Sequence, residues 1–336
     1  MPYASSPMRS LYLSQQGSRV TVRADRLTVQ QGDEPAQTIA LPLLDQILVF
    51  GNVQLTTQVL RACLVRDVPM VYLSRMGYCH GRLTAIHRGY RALARHQADL
   101  SFGDRLLVAR AIVANKLHNS RILLQRYRQR GHDLGPDLDQ FRHLGDRARQ
   151  ATSLDALFGL EGAGAAAYFG ALRSILADSG LGFRDRNRRP PQDPINAFLS
   201  FGYQVLWNHL LVLVELQGLD PYAGCLHEPS DRHPALVSDL LEEFRAPLVD
   251  AVVLGLVNRG QVDRAQHTEQ RDGGCFLNEA GRKLYLQAFI DRMEGAIDQD
   301  EGGSIPRWEL LSRQVRAYKQ FVYQPVYTYQ PYRLRT

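Results

Sequence analysis

GDRLLVARAIVANKLHNSRILLQRYRQRG, residues 103–131, is where the chain changes character. Its apolar residues recur every three or four positions, which predicts one long helix stopping at Gly131. The sequence before it reads differently. LYLSQQGSRVTVRADRLTVQQGD (11–33) has short β-rich runs parted by Gly17-Ser18 and Ala24-Asp25, and IALPLLDQILVFGN (39–52) continues the pattern. One helix is predicted near 56–66, then a buried strand in VPMVYLS (68–74) and a turn in RMGYCHGRL (75–83). From 153 to about 323 the period is again helical, interrupted by GFRDRNRRPPQDP (182–194) and QVDRAQHTEQRDGGC (261–275). The expected class is α+β: a small N-terminal β-rich domain, 1–85, followed by a larger all-α domain, 86–336, that carries the chemistry.

A chain of 336 residues with 45% hydrophobic and 22% charged residues can bury a large core. Cys63, Cys79, Cys225 and Cys275 are far apart and form no CxxC pair, which argues against a zinc ribbon or disulfide framework and fits a reducing cytosol. MPYASSPMRSLYLSQQG (1–17) lacks the apolar stretch of a signal peptide. The most apolar run, YQVLWNHLLVLVEL (203–216), is interrupted by Asn208 and His209 and reads as too short for a bilayer. A cytoplasmic protein without membrane contact is expected.

The net charge of +6 is unevenly spread. Residues 1–85 hold 8 Lys/Arg against 5 Asp/Glu, residues 86–150 hold 13 against 6, and the remainder 19 against 23. A basic middle beside an acidic half suits a polyanion bound on one surface and processed on another; a solvated basic helix face is the plainer alternative. Only Lys116, Lys283 and Lys319 are lysines.

In SLDALFGLEGAGAAAYFGAL (153–172), Leu154, Leu157, Glu161, Ala165, Tyr168 and Leu172 share one helix face, so Glu161 falls within a stripe that should be buried. A buried carboxylate needs a partner, a raised pKa or a metal, and a Glu–Arg pair is the structural alternative. In CLHEPSDRHPALVSDLLEEFRAPLVDAVV (225–253), Leu236, Leu240, Leu241, Phe244, Leu248 and Val252 form an apolar face. Asp239, Glu242 and Asp250 lie opposite, and taken alone they read as a solvent face. His227 stands before that helix. Two or three hard oxygen ligands with one imidazole would suit octahedral Mg²⁺ or Mn²⁺, whereas zinc lacks a cysteine or second histidine at ligand spacing. The other nine histidines show no such arrangement. Arg184, Arg186, Arg188 and Arg189 crowd one loop before a helix opened by Asp193-Pro194, and are candidate phosphate-gripping residues. The tyrosine-rich AYKQFVYQPVYTYQPYRLRT (317–336) would either stack on bases, dock a partner or pack on its own domain.

Taken together, ILVFGNVQLTTQVLRACLVRDVPMVYLSRMGYCHGRL, ARAIVANKLHNSRILL, LEGAGAAAYFGAL, RNRRPPQDPINAFLSFGYQVL and LHEPSDRHPALVSDLLEEFRAPLVDAVV give the chain its resemblance. It resembles the CRISPR-associated adaptation integrase, the spacer-acquisition nuclease of CRISPR-Cas systems. That resemblance implies the same two-part layout and a divalent metal, Mg²⁺ or Mn²⁺, held by Glu161 and Glu242, with His227 either a further ligand or a proton donor to the leaving oxygen and Asp239 a further candidate one turn earlier. It implies a homodimer that binds DNA and a small ferredoxin-like adaptation subunit. It also implies phosphoryl transfer, in which a 3′-hydroxyl of a captured fragment attacks a phosphodiester at the edge of the CRISPR repeat. A structure-specific repair nuclease and a non-catalytic DNA-binding scaffold are the competing readings.

Overall fold

The computed structural model describes residues 9–32, 35–75, 79–85, 91–132, 134, 138–228, 233–298 and 303–335. His87 and the expected junction at 85/86 touch residues outside that set.

Two four-stranded sheets make the N-terminal part. In the first, β1 (Ser10–Leu13), β5 (Gln46–Phe50) and β7 (Met70–Leu73) run parallel and β8 (Cys79–Leu83) pairs antiparallel with β7. In the second, β2 (Arg19–Arg23), β3 (Arg26–Gln30) and β4 (Gln37–Ala40) form an antiparallel meander, and β6 (Gln54–Leu55) lies parallel to β2. The Ala24-Asp25 turn takes positive φ at both residues, 46° and 59°, as a two-residue hairpin of this twist requires. Helix α1 (Thr57–Val65) starts at Thr56, whose hydroxyl accepts from the Val59 amide.

Every residue of β5 is buried because its two faces enter different cores. Ile47 and Val49 pack with Val20, Leu27 and Met70 between the sheets, whereas Leu48 and Phe50 join Val71, Leu73 and the helices. The sheet is therefore sealed onto the helical part. A polar joint lies beside this seam: His209, fully buried, meets the Tyr12 hydroxyl at 2.6 Å through Nε2 and the Gln46 amide through Nδ1. Burial pushes its imidazole down to about 3, so it is neutral.

The rest is mostly helical: α2 (Arg91–Ala98), α3 (Phe102–Gln129), α4 (Asp139–Gln150), α5 (Leu154–Leu176), α6 (Pro194–Leu216), α7 (Ala235–Glu242), α8 (Ala251–Asn258), α9 (Arg264–His267), α10 (Glu279–Glu294) and α11 (Arg307–Tyr323). Two short hairpins are set among them, β9 (Thr268–Arg271) with β10 (Gly274–Leu277) and β11 (Ala296–Asp298) with β12 (Ser304–Pro306). Ser101 and Asp104 cap α3 reciprocally, and Gly131, at φ 93°, follows its last turn. Asp193 caps α6, with Pro194 in its first turn. At 23 residues α6 is long and apolar enough to cross a membrane, unlike the shorter run read from sequence, but 83% of its most apolar window is buried inside the protein. It is a core helix.

The helix expected through 235–253 is broken. α7 ends at Glu242, and Arg245–Asp250 forms a π-helical turn before α8. Pro247 lies inside that turn and has no amide hydrogen to give to a regular ladder. Along it the acids are not on a wet face: Asp239 and Glu243 are 0% exposed, Asp250 1% and Glu242 6%.

The C-terminal segment packs on its own domain. Tyr332 stacks on Phe244, its carbonyl accepts from Asn119, and the Leu334 amide donates to Asn119 Oδ1 at 2.8 Å. Glu243 accepts from the Tyr329 hydroxyl and from the Tyr332 amide at 2.9 Å, and burial pushes its carboxyl up to about 8. Glu243→Ala should therefore lower unfolding free energy by about 2–5 kcal/mol, the cost of two orphaned donors. It should also free the segment for trypsin cleavage after Arg333, already on the surface, which a timed digest of folded protein measures; wild-type resistance in the variant would show that Glu243 does not hold the segment.

Candidate functional site

α3, α5 and the end of α7 meet around one ammonium. Lys116 Nζ contacts Glu161 Oε1 and lies 2.5 Å from Glu242 Oε2. Arg245, opening the π-helical turn, places Nη1 3.0 Å from Glu242 Oε1. Burial alone would raise the Glu242 carboxyl, but Arg245 and Lys116 outweigh it and hold it near 2. Glu161 sits at the rim of the α5 stripe, with its side chain 25% exposed, because the buried face runs through Leu157, Leu160, Gly164 and Tyr168 and leaves it on the flank. Its partner is Lys116, where the sequence suggested an arginine.

His227 approaches the same place from the 225–228 turn. Its Nδ1 is 2.7 Å from Asp239 Oδ1, which fixes the tautomer with the proton on Nδ1 and leaves Nε2 as the other ring atom. Its ring meets Phe158, three residues before Glu161, edge to face. Burial lowers the His227 pKa, yet the hydrogen bond and charge of Asp239, followed by the charge of Glu242, raise it overall. Asp239 is fully engaged: Oδ2 accepts from the amides of Cys225 and Leu226, and Oδ1 from the amide and ring of His227. It shapes the turn that presents the imidazole.

Two tyrosines brace this arrangement. Tyr168, two turns beyond Glu161, and Tyr203 of α6 donate to opposite oxygens of Asp250 at 2.7 and 2.5 Å. The helix of Glu161 is thereby tied to the segment carrying Glu242 and Arg245. Arg245 also lies over the Tyr203 ring, 4.7 Å from its centroid.

Among the described residues no three His, Cys, Asp or Glu side chains are grouped as a ready-made metal cage. The donor chemistry nevertheless fits a hard cation. Oxygens of Glu161 and Glu242 converge on a single positive centre, filled by the Lys116 ammonium, with His227 alongside.

The arginine loop divides. Arg186 is a brace, donating to Asn196 Oδ1 at 2.8 Å and Ser200 Oγ at 3.0 Å beneath the Tyr203 ring. Arg184, Arg188 and Arg189 are exposed. Arg188 and Arg189 line a cavity of about 670 Å³ with Arg82, His80, His233 and Arg245, so a basic cleft adjoins the acids through Arg245. Arg184 does not reach it. Sequence periodicity does not reveal the role of Arg245, nor those of Lys116, Tyr168 and Tyr203, whose partners are distant in the chain. The scarcity of lysine was the available signal for Lys116.

The chain resembles known proteins in sequence and in fold. The family described as CRISPR associated protein Cas1 matches residues 11–291. A relative from Thermus thermophilus named CRISPR-associated endonuclease Cas1 1 is 36% identical over 310 residues, covering 92% of this chain and 95% of the relative. Two solved structures share the fold. One is described as a casposase bound to integration product, with TM-score 0.83, 20% identity and coverage of 98% of this chain and 96% of that one. The other is a Cas6-RT-Cas1–Cas2 complex, with TM-score 0.82, 24% identity and coverage of 99% and 37%.

Asp239→Ala should release three buried amides and the His227 ring, costing about 3 kcal/mol or more. Glu161→Ala, at the rim, should cost less than about 1 kcal/mol. Urea denaturation of both variants compares them, and an equal loss would remove the structural role given to Asp239.

Proposed function

The chain belongs to the Cas1 family, and from that premise we propose that it is a divalent-metal-dependent DNA integrase and endonuclease of CRISPR adaptation. The observation that carries this reading is the convergence of Glu161 and Glu242 on one cation position, with His227 beside it and a basic cleft adjoining. Glu161, Glu242 and His227 Nε2 would hold Mg²⁺ or Mn²⁺, which when bound supplies activation of the attacking hydroxyl and neutralisation of charge on the phosphate. Asp239 is the buttress that sets the His227 tautomer. Arg245 fixes Glu242 and offers its remaining guanidinium surface to the cleft, where Arg188 and Arg189 bind backbone phosphates. A captured 3′-hydroxyl as nucleophile gives joining to the repeat, and water in its place gives cleavage. The names of the casposase and Cas1–Cas2 structures support the joining reaction, a DNA substrate and a Cas2-type partner; the ferredoxin-like form of that partner and the homodimer rest on the resemblance.

Lys116 occupies the position that the metal would take. Lys116→Met should destabilise the protein without divalent ions by about 1–3 kcal/mol, because Glu161 loses its cation and is left facing Glu242, which keeps only Arg245. Added Mn²⁺ should then raise its melting temperature more than it raises that of wild type; an equal rise would detach Lys116 from the metal position.

Glu161→Ala or His227→Ala should abolish metal-dependent strand transfer into a supercoiled repeat-bearing plasmid while leaving the fold intact. Full activity in either folded variant would overturn the assignment. Joint replacement of Arg188 and Arg189 by alanine should weaken duplex binding and flatten the slope of log K against log salt by up to about two units. Fluorescence anisotropy across a salt series reads this, and an unchanged slope would move the DNA path elsewhere.

A further inference from the structure

The π-helical turn has a second side. Arg245 faces the acids, while Pro247 and Leu248 line a separate cavity of about 470 Å³ that shares no residue with the site above. Arg126, Arg292, Arg307, Arg313, Arg333 and Arg335 line it from α3, α10, α11 and the C-terminal segment, with one Arg333 nitrogen donating away from it to His118 Nδ1 at 3.0 Å. Asp298 is the one acid on the lining among the described residues. Arg313 is paired with Glu309. Three of the others are positioned by backbone carbonyls: Arg292 Nε donates to Pro247 at 2.9 Å, Arg307 Nη1 to Arg292 and Gly295 at 3.0 and 2.9 Å, and Arg126 to Arg335 at 2.8 Å.

Carbonyl dipoles orient guanidinium groups without cancelling their charge. Burial pushes Arg292 down to about 10, and the neighbouring charge of Arg307 adds repulsion in the same direction. A ligand with several negative charges in a small volume relieves that repulsion, and planar guanidinium forks match phosphate oxygens. The volume suits a small molecule and is too small for a duplex.

We propose that this cavity binds a compact polyphosphate, two or three linked phosphate groups, carried by a nucleotide or by an inorganic chain. The ligand clamps the C-terminal segment onto α10 and α11, since Arg333 and Arg335 close one wall.

Isothermal titration of the full chain in EDTA with inorganic tripolyphosphate, and separately with ATP, tests it. One-to-one binding is expected. Arg307→Gln and Arg335→Gln should each weaken it about tenfold or more, while Arg142→Gln, exposed on α4 and outside the cavity, should match wild type. Arg335 is exposed, so its variant reads the site even if Arg307→Gln misfolds, and melting curves of both verify folding. Tighter binding of ATP identifies a nucleotide ligand, and equal binding a bare polyphosphate chain; both support the site. Absence of binding at millimolar probe, equal affinity in all three variants, or displacement of the probe by metal-free duplex DNA would overturn the proposal, the last by assigning the cavity to the DNA path.

Discussion

Four carboxyl groups, Asp239, Glu242, Glu243 and Asp250, are buried along one short segment, and each must find a partner there. No local neighbour can supply them all, so each draws a different region of the chain inward. Asp239 gathers the 225–227 amides, Glu242 takes Lys116 and Arg245, Glu243 takes the C-terminal segment, and Asp250 takes Tyr168 and Tyr203. An unpaired buried carboxylate costs several kcal/mol, so these links act as constraints on tertiary structure as much as on chemistry. The segment is the hub on which α3, α5, α6 and the terminal residues are registered.

Much of this architecture was legible. Alternation in 11–33 and the helical period of 103–131 separate the β part from the helical part, and Asp193-Pro194 marks the start of α6 through local capping chemistry. Spacing and resemblance single out Glu161, His227, Asp239 and Glu242; in the structure Glu161 and Glu242 meet at the Lys116 ammonium and His227 pairs with Asp239. The burial of the acids was not legible. A helical wheel treats a carboxylate opposite an apolar face as wetted, and it cannot see that the Glu242 partner stands 126 positions earlier, at Lys116. The π-helical turn shifts the phase of the wheel after Glu242, and only Pro247 hints at it. The arginine loop read as one unit because sequence spacing does not reveal that Asn196 and Ser200 claim Arg186.

The two parts of the molecule are not beads on a string. β5 sends Ile47 and Val49 to one core and Leu48 and Phe50 to the other, and neutral His209 stitches Tyr12 and Gln46 to α6. α6 also carries Tyr203, which reaches Asp250. A strain on the β-rich part therefore has a packed route to the acids through one helix.

Only three of the 40 basic side chains are lysines, in a chain that otherwise uses arginine. At position 116 the difference is one of shape. An ammonium is a compact point charge that can touch two carboxylate oxygens at once and be exchanged for another small cation, whereas a guanidinium fork would grip one carboxylate in two places and keep it. An arginine at this position would therefore change the contact itself, because its fork could not bridge Glu161 and Glu242 as a point charge does.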